Sequence, residues 1–397
     1  EASHLPALHE VAVELDREQE EQVEAADDRD HDEHGVRAPG RDALWRSGRA
    51  HPVRYGSVSS MALSGALPAG LKLRLASRYV PFLGRNASLL DVNEPVRSVT
   101  AGLDDESIAS WGRRELGEDF VELLVYPQLA AYYGATPEET TAGFYHALAH
   151  AGMDVSVYAV RGGMGALAQA LLASLTRRGV RFRGGVEARA VTAGSSGGAV
   201  EWGDGGARHD AVVLAVPGPG VAELAGLEGP AREWFAGVRT APAASLALVL
   251  DGAAPVEYFG LSFPRTEREG DVLAAVCFQS RKGAELPGGG KGALVIYPAP
   301  AAVPGILGGS AEKALDAVLP ALERALPGLR RHILRAKLYR FATGGTLFYP
   351  GYLRHLGRFD PGILPARLAV AGDYLVAPTV EGAVRSGFGA AARLLAD

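Results

Sequence analysis

The stretch Leu368-Ala-Val-Ala-Gly372-Asp373-Tyr-Leu-Val-Ala-Pro378-Thr379-Val-Glu381-Gly382-Ala383-Val384-Arg-Ser386-Gly387 constrains the fold more than any other part of this chain. The apolar run Leu368 to Ala371 predicts a buried strand, Gly372-Asp373 a tight turn, and Thr379-Val380-Glu381 the start of a helix reaching Leu395. A strand handing over to a helix start through an acidic turn is anion-binding geometry. The first amides of a helix lack backbone acceptors and carry the positive end of its dipole. Small residues at 382 and 383 also let a flat ring approach the backbone. The same residues suit a plain strand-turn-helix packing unit, in which Gly and Ala serve close contact alone.

This stretch resembles the C-terminal flavin-binding segment of the flavin-containing amine oxidase superfamily, closest to its phytoene desaturase and protoporphyrinogen oxidase branches. The resemblance implies that Gly372 and Asp373 contact the ribityl and pyrophosphate part of FAD. It also implies that the helix start at Thr379, with Glu381, Gly382, Ala383 and Val384, lies beside the pyrimidine edge of the flavin. The fold class it implies is α/β (α+β): a Rossmann-like FAD-binding domain interleaved with a substrate domain of mixed sheet and helices.

The first 34 residues depart from that pattern. Members of the superfamily open with a strand, a Gly-x-Gly-x-x-Gly turn, a helix and an acidic residue after the second strand. Here residues 1–34 hold no glycine, and 13 Asp and Glu stand against 2 Arg. Such a charge run predicts solvated helix or disorder. The FAD-binding domain is therefore expected to be incomplete at its N-terminus, its dinucleotide segment missing. The alternative this raises is a flavin-free remnant acting as a binding or scaffold protein, or an inactive fragment. His4, His9, His31 and His34 lack the spacing and scaffold of a metal site, so no metal is expected. The segment carries −11 of the net −6, leaving +5 over the rest, which is no nucleic-acid footprint. The single Cys277 excludes an intrachain disulfide and a cysteine metal cluster. With no apolar run of spanning length and no secretory signal, the expected location is cytoplasmic.

From Arg41 the resemblance resumes. Arg41 to Val53 predicts a hairpin about Ser47-Gly48, as at the opening of the family's substrate domain. Leu71 to Leu83 mixes apolar and basic residues at helical spacing, which reads either as a peripheral membrane-contact helix on the inner face of a membrane or as an ordinary surface helix. Asp104 to Tyr126 reads as two helices, Asp104 or Asp105 capping the first and Gly117 ending it. Leu123, Leu124, Tyr126, Tyr132, Tyr133, Phe144 and Tyr145 are candidate cavity or core residues. Val160-Arg161-Gly162-Gly163-Met164 feeds an amphipathic helix and resembles the family's Gly-Gly-Met segment, implying substrate-side roles for Gly163 and Met164. The meander that follows implies a backbone contact between Val186 and the adenine. Ser245–Leu250, Val272–Phe278 and Ala293–Tyr297 predict strands, and Ala311–Ala325 a helix ended by Pro327-Gly328. Phe348 and Tyr349, on the return towards the flavin, are candidate substrate-cavity walls. The implied organisation is an acidic segment at 1–35, a helical part of the substrate domain at 41–155, FAD-binding residues at 156–220, the mixed-sheet part of the substrate domain at 221–360, and the closing FAD-binding strand and helix at 361–397.

No triad or paired carboxylates stand out, so the catalytic residues are left unassigned; His146, His150 and His355 qualify by chemistry alone. A flavin accepts hydride itself, which leaves the protein to orient the substrate over N5 and exclude water. The expected activity is FAD-dependent dehydrogenation of a small apolar, conjugated or ring-containing substrate, tetrapyrrole-like or polyene, with O2 or a quinone as electron acceptor. Ser280-Arg-Lys282 and Pro287-Gly288 resemble the porphyrinogen branch, whereas Thr379 to Gly387 resembles the desaturase branch.

Overall fold

The structure, a computed structural model, describes residues 12–14, 35–37, 41–153, 158–160, 162–282 and 290–396. The chain divides into two units, each discontinuous in sequence: unit I takes residues 1–35, 160–238 and 358–397, and unit II residues 36–159 and 239–357. The reading of residues 1–34 as helix or disorder lies outside the described residues except at Ala12–Glu14. These three residues form a strand antiparallel to Arg181–Arg183. Backbone pairing decides them, and a charged neighbourhood does not bar it.

Unit II is built on a seven-stranded sheet. From one edge its order is Ile333–Thr346, Thr240–Leu250, Gly292–Pro298, Leu273–Phe278, Tyr258–Ser262, Arg41–Arg46, Arg49–Val53. All neighbours are antiparallel except Tyr258–Ser262 beside Arg41–Arg46, so the sheet is mixed. The period of two along Thr240–Leu250 separates its faces. Leu246, Leu248 and Leu250 are buried with Leu294 and Ile296 beneath Ala314, Val318 and Leu322 of the helix Ala311–Ala325. Ser245, Ala247 and Val249 point the other way and are half-buried. The helix starts where the sequence predicts, because the Ser310 hydroxyl accepts from the Lys313 amide at 3.2 Å. The hairpin also forms as expected. Ser47 (φ +51°) and Gly48 (φ +76°) are both left-handed, the type I′ requirement, which sets Arg46 opposite Arg49.

Helices cover part of the second face. Near Arg41–Val53 the cover is a cluster of Leu44, Val53, Leu71, Leu75, Phe120 and Leu129. Towards the middle, Tyr126, Ala130 and Ala131 of the helix Tyr126–Tyr133 rest on Ala275. At the far edge Tyr339 and Phe341 are exposed. The 71–83 stretch lies in a helical run that packs Leu71, Leu75, Tyr79 and Leu83 inward, while Leu73 is 69% exposed. Among the described residues no helix is long and apolar enough to cross a membrane.

Capping of the next helix differs from expectation. Ile108–Glu115 starts on Ser107, whose hydroxyl accepts from the Ser110 amide at 3.2 Å. Asp104 instead accepts from the amides of Leu353 (3.2 Å) and Arg354 (2.9 Å), capping Tyr352–Leu356, and from the Thr141 hydroxyl at 3.1 Å. A fully buried carboxylate needs several donors, and this distant helix start supplies two of them beside the Thr141 hydroxyl. Gly117 (φ +88°) does end the first helix, its amide reaching Gly112 O at 2.9 Å. Further along, the buried Glu122 accepts from Arg265 at 2.7 to 3.0 Å, and Arg265 also donates to Glu138, itself bonded by Arg113.

Unit I contains a parallel pair, Val212–Leu214 with Leu368–Val370. It also holds an antiparallel meander of Ala188–Gly194, Gly197–Trp202 and Gly205–His209. Its helices include Gly165–Arg177, Gly218–Leu224, Gly229–Ala236 and Val380–Ala396.

Candidate functional site

In unit I the strand Leu368–Val370 sets Ala369 opposite Val213, and the Ala371 amide extends the pairing to Leu214 O at 2.9 Å. Gly372 then continues extended (φ 167°, ψ 158°), so the expected tight turn is not at this residue; the chain reverses in the 3-10 turn Asp373–Leu375. Gly372 is required for a different reason. A Cβ there would lie 2.1 Å from the Tyr374 ring, which folds back over it and packs against Phe235 at 6.2 Å. Gly382 is similar, since its Cβ would stand 2.1 Å from Ala377 O. Both glycines are thus accounted for by the chain's own packing, the close-contact role that the sequence also allowed.

The helix begins one residue after Thr379, which is its cap. Thr379 Oγ1 accepts from the Gly382 amide at 2.9 Å, and Thr379 O accepts the first helical bond from Ala383 at 3.0 Å. The amides of Val380 and Glu381 fall in the first turn, where a helix provides no backbone acceptor. Glu381 bonds Arg385 Nε at 2.7 Å as an exposed pair four residues apart. Ala383 and Val384 are exposed and Asp373 is half-buried. Sequence reasoning gave Ser386 no role, yet it is the tie between strand and helix. Its hydroxyl accepts from the Gly372 amide at 2.8 Å and donates to Ala383 O at 2.6 Å, with the residue 6% exposed. Its place seven residues after Thr379, on the inner side of the helix, was the available signal. First-turn amides for which the helix has no acceptor, an accessible small-residue turn and a carboxyl at the strand end together fit the anionic and flat parts of FAD.

Elsewhere in unit I, Gly162 (φ +74°) and Gly163 (φ +85°) turn the chain, the Gly163 amide donating to Val160 O at 2.9 Å. Arg161 lies outside the described residues. Met164 is 65% exposed at the head of Gly165–Arg177. The expected amphipathic face of that helix, Leu167, Leu171 and Leu172, is exposed, since no described element packs over it. Val186 is half-buried in the loop between Arg181–Arg183 and Ala188–Gly194.

Unit II contributes a groove of about 310 Å³ between the helix Tyr126–Tyr133 and the strand Thr240–Leu250. Tyr132, Tyr133, Ser245, Tyr297 and Phe341 line it, with alanines between. Tyr132 and Tyr133 thereby separate from the other candidates of the helical region, as Leu123, Leu124, Tyr126, Phe144 and Tyr145 are buried. Phe348 is a core residue at 2% exposure, its ring 5.1 Å from that of Phe144 and 4.8 Å from that of Tyr352. Tyr349 is half-buried under the Arg239 guanidinium, 4.2 Å from the ring centre. His146 is sealed among Trp111, Phe82 and Tyr145, and burial pushes its imidazole down to about 3. It is neutral at physiological pH and enclosed. The His150 Nδ1 sits 3.1 Å from Leu90 O. Among the described residues no cluster of His, Cys, Asp or Glu could hold a metal ion.

The family model described as flavin containing amine oxidoreductase matches residues 9–395. Among solved structures, cyclohexylamine oxidase from Brevibacterium oxydans IH-35A is similar at 17% identity over 91% of this chain and 81% of that one, with a TM-score of 0.69. A provisionally assigned protoporphyrinogen oxidase from Exiguobacterium sp. 255-15 matches at 17% identity over 92% and 82%, TM-score 0.68. Wild-type putrescine oxidase matches at 17% identity over 92% and 82%, TM-score 0.66. Among curated proteins none matches the sequence.

Proposed function

Because the chain belongs to the flavin-containing amine oxidoreductase family, and is therefore an FAD-dependent oxidoreductase, we propose that it dehydrogenates an apolar ring-containing or conjugated substrate and passes the electrons to O2 or a quinone. The observation that carries this reading is the groove of unit II, whose walls are aromatic and alanine side chains. Such walls recognise flat apolar surface by burial and ring contact. In unit I, Asp373 and the first-turn amides of Val380 and Glu381 are the groups proposed to hold FAD, with Gly372, Thr379, Gly382, Ala383 and Val384 shaping their approach. Bound FAD supplies the hydride acceptor, so no side-chain base is called for. The positive end of the helix Val380–Ala396 favours negative charge near its start. Val186, Gly163, Met164 and Tyr349 stay in the proposal as cofactor- or substrate-side positions, while the packing of Phe348 favours a structural role.

Two measurements test it. Under anaerobic conditions protoporphyrinogen or a linear polyene should bleach the bound flavin, and putrescine should not; bleaching by putrescine alone would remove the apolar-substrate reading. Asp373→Ala should weaken FAD by about 1–3 kcal/mol, the cost of leaving a hydrogen-bonding partner unmet. Gly382→Ala reports on the fold instead. Its Cβ meets Ala377 O, so it should lower the stability of the FAD-free protein by about 1–3 kcal/mol. Equal FAD dissociation constants for Asp373→Ala and the parent would take Asp373 out of the cofactor site.

A further inference from the structure

The sheet of unit II carries, on the face that bears the groove, a polar cluster that neither the family nor the reading above assigns. Asp42, Gly260 and Cys277 stand in register on three adjacent strands, and opposed positions share a face. Gly260 is what allows the carboxyl group its place: a Cβ at 260 would lie 2.4 Å from Asp42 Oδ1. Among the described residues, the Asp42 carboxyl accepts no hydrogen bond. The Tyr55 hydroxyl, fully enclosed, has no partner either, and the Ser262 side chain stands beside it without hydrogen-bond geometry. Lys282 is the cation facing Asp42. Cys277 shares its sheet face with Ala275, which pairs with Tyr297 of the groove wall and carries Ala130 and Ala131, so the cluster lies on the sheet face that bears the groove.

Buried polar groups without partners cost free energy and are uncommon in folded proteins. An enclosed hydroxyl without a partner, beside a half-buried carboxyl that accepts nothing, is accounted for if a ligand completes their bonding. Lys282 already offsets the charge of Asp42, so the complementary group is a neutral donor rather than a cation. We propose that Asp42 and Tyr55 form a specificity-determining anchor that accepts from, and donates to, a neutral hydroxyl on an otherwise apolar ring substrate. This rests on the reading of the groove as the substrate site. Burial pushes the Asp42 carboxyl up to about 7, with Lys282 opposing. The other titratable groups facing it, Tyr55, Tyr132 and Cys277, ionise only at higher pH. Its strength as an acceptor therefore grows as pH rises through neutrality.

The test uses the full chain and three probes of one shape: 4-(hydroxymethyl)biphenyl, 4-methylbiphenyl and the cationic 4-(aminomethyl)biphenyl. Dissociation constants are read by calorimetry at pH 6 and pH 8. The hydroxymethyl probe should bind the parent about tenfold more tightly than the methyl probe, the size of one hydrogen bond to a charged group. That preference should be larger at pH 8, and should vanish in Asp42→Ala and shrink in Tyr55→Phe. Tyr55→Phe removes only an oxygen, so it serves if Asp42→Ala fails to fold. Equal binding of the hydroxymethyl and methyl probes, a preference unchanged in either folded variant, or tightest binding of the aminomethyl probe would each overturn the anchor. FAD affinity measured on the same samples separates the two readings. FAD binding without the hydroxyl preference removes the anchor alone, and the preference without FAD binding removes the oxidoreductase reading of the site.

Discussion

Arg265→Ala should destabilise unit II by about 3–5 kcal/mol, the cost of stranding one member of a buried ion pair. The Glu122 carboxylate is 6% exposed and accepts three contacts from Arg265 at 2.7 to 3.0 Å. Without them its nearest cation is Arg113 at 3.9 Å, beyond hydrogen-bond distance. The carboxylate would then be a desolvated charge inside the helical stretch that covers the sheet. The double variant Glu122→Leu with Arg265→Met removes both charges and should recover most of the loss. Denaturant unfolding of the full chain, followed in parallel for the three proteins, gives the comparison. A loss below about 1 kcal/mol for Arg265→Ala would place the pair with surface salt bridges. Burial raises the Glu138 carboxyl, but its hydrogen bonds from Arg265 and Arg113 together outweigh this and hold it down to about 2, so it should lose its share of the network only as pH falls towards that value.

Mild acid should unfold the protein through His146. Its imidazole is neutral in the fold down to about pH 3, whereas in the unfolded chain it takes a proton near 6.5. The unfolded state therefore binds more protons between these values, and stability rises with pH across the window. Above about 6.5 the contribution is complete; it is lost progressively as pH falls, at up to about 1.4 kcal/mol per pH unit. The ring cannot keep its packing while charged, because Trp111 lies 4.3 Å from it, Phe82 4.8 Å, and among the described residues its one hydrogen bond is to the Tyr79 hydroxyl at 3.2 Å. His146→Gln keeps a polar partner for Tyr79 and cannot be protonated. Its stability should vary less between pH 4 and pH 6.5 than the parent's, as read from denaturant midpoints at each pH. Equal slopes for both proteins would show that other groups govern the acid limb.

What was legible in the sequence is what is decided locally. Ser47-Gly48 specifies a two-residue turn by backbone preference, Ser310 and Gly328 bracket a helix, and the apolar run at Leu368 makes a strand. Partners chosen over long distances were not legible. Asp104 looks like a cap for the helix beside it, but it accepts from two amides 249 and 250 positions away. Glu122 finds Arg265 across 143 positions. Within the candidate site, the helix start at Thr379 was readable from its capping chemistry. The reasons for Gly372 and Gly382 were not, since the Tyr374 ring and the Ala377 carbonyl reach them only once the chain has reversed. Asp42 gave no signal at all, because its partner in shape is an absent side chain on another strand, Gly260.

The parallel pairing of Val212–Leu214 with Leu368–Val370 carries a consequence for synthesis. Every residue of unit II precedes the second of these strands in the chain. On a ribosome adding about 5–20 residues per second, unit II can fold while the first strand waits for its neighbour. Contacts of such wide sequence separation form late, because the intervening chain must be ordered or looped out before they are rewarded. The helix start proposed to hold FAD follows that second strand after the turn Asp373–Leu375. Completion of the proposed cofactor site thereby waits on the synthesis of Leu368–Val370 and the helix after it, and a chain cut before Leu368 would leave the pairing edge of Val212–Leu214 unmet.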